Sequence, residues 1–123
     1  MFYMITFCIS CCNNLNYLKL AVESVRKYSH FKDSNFIVFA ENCDKDDTYN
    51  WLEKNATRYN LTYFIENNSE SETKGIGGGM NFCASKVTTE YIMFLHADFF
   101  VSQNWDLECL KIFEKYPNTP LWV

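Results

Sequence analysis

Tyr91-Ile92-Met93-Phe94-Leu95-His96-Ala97-Asp98 decides the fold. Ile92 to Leu95 follow one another without polar alternation, and the run stops at a histidine and an aspartate. Such a run predicts a strand buried on both faces, as in a parallel sheet covered by helices. In open α/β sheets ligands bind beyond the carboxyl ends of the strands, where His96 and Asp98 fall. Side chains two apart on an extended chain share a side, so the two form a pair.

Working outward, the same kind of run recurs at Met4-Ile5-Thr6-Phe7-Cys8-Ile9, Phe36-Ile37-Val38-Phe39-Ala40 and Leu61-Thr62-Tyr63-Phe64-Ile65. Between the first two, Leu18, Ala21, Val22 and Val25 recur at i, i+3, i+4 and i+7, which predicts an amphipathic helix. Asp44-Lys45-Asp46-Asp47-Thr48 sets acidic residues ahead of Tyr49-Asn50-Trp51-Leu52 and predicts the amino terminus of a short second helix. Glu66 to Thr73 is strongly polar and predicts an exposed, mobile loop. It leads into Gly75-Ile76-Gly77-Gly78-Gly79-Met80-Asn81 and a third helix through Cys83, Ala84 and Val87. Asn104-Trp105-Asp106 starts a fourth, with Leu107, Leu110 and Phe113 inward, and Leu121-Trp122-Val123 reads as the beginning of a further strand. Strands alternating with helices at this spacing predict a mainly parallel, doubly wound, Rossmann-like α/β sheet with helices on both faces, apparently incomplete at its carboxyl end.

The chain has 123 residues, which is room for a single domain, 1–123. Its 48% hydrophobic and 18% aromatic content supplies a core. A net charge of -4 without a local Lys/Arg cluster argues against nucleic acid as a partner. Of the six cysteines, Cys8, Cys83 and Cys109 fall within apolar patterns, as reduced thiols do, and Cys8-Ile9-Ser10-Cys11 has no second pair to complete a redox or zinc site. The start lacks a basic region and a cleavage site, and no apolar run approaches the roughly 20 residues that span a bilayer, so a cytoplasmic location is expected.

The glycine run admits two readings, a flexible joint or a helix start that backbone or a ligand approaches closely. It lacks the context of a dinucleotide fingerprint, since a charged loop precedes it, and it lacks the Gly-Lys-Ser/Thr of a phosphate loop. Ser10 and Asn13, Glu41 and Asn42, and His96 and Asp98 close strands one, two and four, and a parallel sheet brings these ends to one edge. Convergent polar groups there define a ligand site.

Four stretches in order give the chain its resemblance. Ile5 to Asn13 with Tyr17-Leu18 and Ala21 to Val25, Ile37 to Thr48, Gly75 to Asn81, and Glu90 to Asp98 resemble the opening strand and helix, the acidic turn, the glycine segment and the Asp-x-Asp strand of family 2 glycosyltransferases. The chain is thereby similar to the amino-terminal, nucleotide-sugar-binding half of an enzyme with the A-type glycosyltransferase fold. The resemblance implies transfer of a sugar from a nucleotide-diphosphate sugar donor to an acceptor, assisted by a divalent metal, Mn²⁺ or Mg²⁺. It implies that Glu41 accepts from the base or ribose and that Asp98, with His96, holds the cation against the diphosphate. Ser10, Asn13, Asn42, Lys74, Gly75 and Asn81 complete the implied donor site.

Two positions depart from the family pattern. His96 stands for the first aspartate of Asp-x-Asp, and Met80 for an arginine that neighbouring Lys74 would replace. The family's acceptor site and catalytic carboxylate lie beyond the strand that begins at Leu121, so no catalytic base is assigned in this chain. A truncated domain with uncovered apolar surface is then expected to self-associate or to meet a partner chain. The rival readings are a non-catalytic sugar-nucleotide-binding module or remnant, and a nucleotidyltransferase. The latter requires a basic, glycine-rich loop after the first strand, which Ser10-Cys11-Cys12-Asn13 is not.

Overall fold

The computed structural model describes residues 5–118. Four strands, β1 (Ile5–Cys11), β2 (Asn35–Glu41), β3 (Thr62–Glu66) and β4 (Tyr91–His96), alternate with four helices, α1 (Leu15–Tyr28), α2 (Thr48–Tyr59), α3 (Gly75–Ser85) and α4 (Trp105–Lys115). The sheet order is β3-β2-β1-β4, and all pairings are parallel. Registers Ser10↔His96, Cys11↔Ala40 and Glu41↔Glu66 bring the polar strand ends to one edge. The expected strand at Leu121–Val123 lies outside the described residues.

The two faces of the sheet are covered unequally. Ile5, Phe7, Ile9, Phe36, Val38, Ala40, Met93 and Leu95 form one core with Leu18, Val22 and Val25 of α1, Leu52 of α2 and, partly buried, Trp105 and Phe113 of α4. Cys8, Ile37 and Phe39 form a smaller core on the opposite face with Cys83 of α3, flanked by Phe64, Phe82 and Ile92. Strands β1 and β2 are therefore buried on both sides, as continuous apolar runs require. Strand β4 is not: Phe94 is 47% exposed, because α3 packs on β1 and β2 and leaves that face of β4 open among the described residues. The expectation of two buried faces fails at the strand on which the sequence reading began.

Two further expectations change. Helix α2 is not short; it spans 12 residues and ends at Asn60 in the left-handed conformation (φ 52°). Its second half carries Lys54, Thr57 and Arg58 outward, and Trp51 stacks on Tyr59, ring centroids 5.9 Å apart. Asp106 does more than open α4. It is fully buried, and its carboxylate accepts the backbone N–H groups of His30 (2.7 Å) and Phe31 (3.0 Å), tying the α1–β2 connection to α4. All six cysteines are free thiols, and no helix among the described residues is long and apolar enough to cross a membrane.

Candidate functional site

A cleft of about 550 Å³ opens at the carboxyl ends of β1, β2 and β4. The β1 end and the start of α1 contribute Ser10, Cys11, Cys12, Asn14 and Tyr17; β2 contributes Glu41 and Asn42; β4 and its turn contribute His96, Ala97 and Asp98. The fourth wall is Thr73, Gly75 and Ile76, where the loop after β3 enters α3.

Glycine is required at two places in the segment that enters α3. Gly75 takes a left-handed φ of +66°, and at Gly79 an added Cβ would lie 2.2 Å from Ser10 Oγ and 3.0 Å from Phe39 Cδ1. The glycine run is thus a place of close backbone approach, where α3 crosses the ends of β1 and β2. At Gly77, by contrast, a Cβ would meet nothing within 4 Å.

The β2 end is a closed hydrogen-bond network. Glu41 is buried, and Oε1 accepts from Thr73 Oγ1 (2.8 Å) and the Gly75 N–H (3.0 Å). Oε2 accepts from Asn68 Nδ2 (2.6 Å) and the Lys74 N–H (2.8 Å). Burial alone would raise this carboxyl, but these hydrogen bonds outweigh it and hold the pKa at about 2. Glu66 sits beside Glu41 in register; Asn68 Nδ2 also donates to Glu66 Oε1 (3.0 Å), and the Lys74 ammonium pairs with the same carboxylate, so the like charges are bridged and offset. Asn42, at φ 54°, clips the loop a second time: Oδ1 accepts the Asn68 N–H (2.7 Å) and Nδ2 donates to the Asn68 carbonyl (3.0 Å). The polar loop is exposed as expected, but it is stitched to β2 and does not run free.

Behind the cleft, Asp46 joins two helix starts. Its carboxylate accepts from the Leu15 N–H (3.0 Å) at the head of α1, and from the Thr48 N–H (3.1 Å) and hydroxyl (2.6 Å) at the head of α2. Burial opposes ionisation there, and these bonds prevail, lowering its pKa. Asn14, in the cleft lining, buries its Oδ1 without a hydrogen-bond partner among the described residues.

The β4 end is open. His96 and Asp98 are exposed, the His96 ring meets Phe99 edge-on at 4.9 Å, and the Asp98 carboxylate makes no hydrogen bond or ion pair among the described residues. Among the described residues no group of three or more His, Cys, Asp or Glu side chains forms a preassembled metal cage.

The model of glycosyl transferase family 2 matches residues 6–120. The chain belongs to that family. Three solved structures share its architecture: S. aureus TarS (TM-score 0.69, 18% identity, covering 91% of this chain and 20% of that one), TarS 1-349 in complex with UDP-GlcNAc (0.71, 18%, 92% and 32%) and TarS 1-349 in complex with UDP (0.67, 17%, 92% and 32%). Likeness at such identity establishes the fold, and the chain spans no more than about a third of those three proteins. No curated protein sequence matches it significantly.

Within this family 2 domain, six of the residues singled out in the sequence line the cleft: Ser10, Glu41, Asn42, Gly75, His96 and Asp98. Three do not. Asn13 turns its Oδ1 to the Lys45 N–H (3.0 Å), Lys74 is drawn to Glu66 and over the rings of Phe39 and Phe82, and Asn81 is exposed on α3. Cys12, Asn14, Tyr17, Thr73 and Ile76 were not foreseen as lining residues. Tyr17 had a signal, since it sits in the first turn of the helix that leaves the carboxyl end of β1.

Proposed function

We propose that this chain carries the donor site of a glycosyltransferase, binding a nucleotide-diphosphate sugar in the cleft for transfer of the sugar to an acceptor. The observation that carries the proposal is the pair His96 and Asp98, exposed, with no hydrogen-bond partner for the Asp98 side chain among the described residues, at the strand end that lines one cleft with the first turn of α3 in a family 2 domain. Such a carboxylate is free to take a ligand, whereas Glu41 is already committed.

A divalent cation fits the donor set as a shared site. Asp98 offers a hard oxygen and His96 an imidazole, and Mg²⁺ or Mn²⁺ ordinarily binds one or two protein groups and takes the remaining ligands from phosphate and water. When bound, it would offset the charge that develops on the diphosphate leaving group. Ser10, Asn42 and the Gly75–Ile76 backbone border the same space, and Tyr17, 60% exposed, offers an aromatic face to a base. TarS structures with UDP and UDP-GlcNAc make uridine nucleotides the first donors to examine. The buried free thiols of Cys8, Cys11, Cys43 and Cys83 support a cytoplasmic location.

Thermal-shift screening of the chain with UDP, GDP and their sugars, each with Mn²⁺, tests the reading. A shift with one nucleotide family supports it; a folded chain that responds to none contradicts it and favours a remnant without a donor site. Transfer to an acceptor, assayed on the same chain, separates an enzyme from a binding module.

A further inference from the structure

The cleft has two carboxylates in its lining, Glu41 and Asp98, and they are in opposite states. Glu41 is 5% exposed and receives Asn68 Nδ2, Thr73 Oγ1 and the backbone N–H groups of Lys74 and Gly75. A carboxylate has about four lone-pair sites, so its capacity is filled. A base or ribose hydrogen reaches Glu41 only by displacing one of these donors, with the penalty of leaving it unpaired.

The displaced groups would not be incidental. Lys74 immediately precedes α3 and Gly75 is its first residue, in a left-handed conformation that only a well-held backbone keeps fixed. Thr73, Gly75 and Ile76 line the same cleft as His96 and Asp98. We propose that Glu41 is a positioning residue: its carboxylate latches residues 68–75 onto the end of β2 and so fixes the Thr73–Ile76 wall of the donor cleft, without touching the nucleotide itself. The proposal rests on the donor site above, but the latch is a property of the ligand-free chain.

Two roles for Glu41 separate experimentally. Direct reading of the base depends on a base N–H; a latch does not. Hydrogen exchange of the ligand-free chain is compared for wild type, Glu41→Gln, and the double variant Asn68→Ala/Thr73→Val, which keeps Glu41 and removes its side-chain donors. UDP and N3-methyl-UDP are then titrated into each. The latch predicts slow exchange at Lys74 and Gly75 in wild type and at least tenfold faster exchange there in Glu41→Gln, an acceleration larger than the one that the loss of global stability brings to core amides such as Ile9. It predicts that both nucleotides lose affinity by the same factor in Glu41→Gln, and that the double variant reproduces part of that loss. Unchanged exchange at Lys74 and Gly75 in Glu41→Gln overturns the proposal. So does weak N3-methyl-UDP binding in wild type with a loss in Glu41→Gln confined to UDP. Should wild type bind neither nucleotide, the donor reading falls, while the exchange result still decides the latch.

Discussion

The ends of β2 and β4 stand on either side of the central strand β1 in one parallel sheet, and each carries a carboxylate at the cleft. At β2 the carboxylate is buried and saturated by donors 27 to 34 residues further along the chain. At β4 it is exposed and has no hydrogen-bond or ion-pair partner among the described residues. The same residue class at equivalent strand ends thus divides into a group held by the fold and a group left open to solvent. What divides them is whether a loop folds over the strand end, as residues 68–75, which follow β3, do over β2.

Glu41→Gln probes this contrast hardest, since an amide in place of the carboxylate turns its N–H₂ toward donors that already fill the site. A loss of roughly 2–3 kcal/mol is expected in chemical denaturation. Gly79→Ala comes next, at about 1–3 kcal/mol, because the new methyl displaces Ser10 and shifts α3 off the strand ends. Acid sharpens the contrast further. Glu41 is depressed to about 2 in the folded chain, so its contribution is present above the ordinary carboxylate range and lost as pH falls from about 4.5 toward 2. Urea midpoints between pH 5 and 2.5 should therefore fall more steeply in wild type than in Glu41→Gln. The smallest effect is Gly77→Ala, where space is open and helix propensity favours alanine: a gain of up to about 1 kcal/mol in thermal unfolding.

The alternation of strands and helices was legible because it is local: apolar runs at Phe36–Ala40 and a 3.6-residue stripe at Leu18–Val25 need no distant partner to be recognised. The exposure of Phe94 was not legible, because it depends on where α3 packs and not on β4 itself. The length of α2 escaped for the opposite reason, since its outer face from Lys54 to Arg58 carries no apolar stripe to mark it. At the site, the convergence of Ser10, Glu41, His96 and Asp98 followed from parallel topology alone. The state of Glu41 did not, because its donors Asn68, Thr73, Lys74 and Gly75 belong to a loop whose path no periodicity specifies. Lys74 illustrates the same limit: its charge was visible in the sequence, but its commitment to Glu66 arises from the β2–β3 register.

The most direct test of the division between the two strand ends is calorimetric titration of wild type and Asp98→Ala with UDP and GDP, with and without Mn²⁺. The account predicts Mn²⁺-dependent binding of one nucleotide to wild type and a loss of about 100-fold, close to 2.7 kcal/mol, in Asp98→Ala with unchanged thermal stability. Equal affinity in the two proteins, or binding indifferent to Mn²⁺, would contradict the assignment of the β4 end as the ligand end.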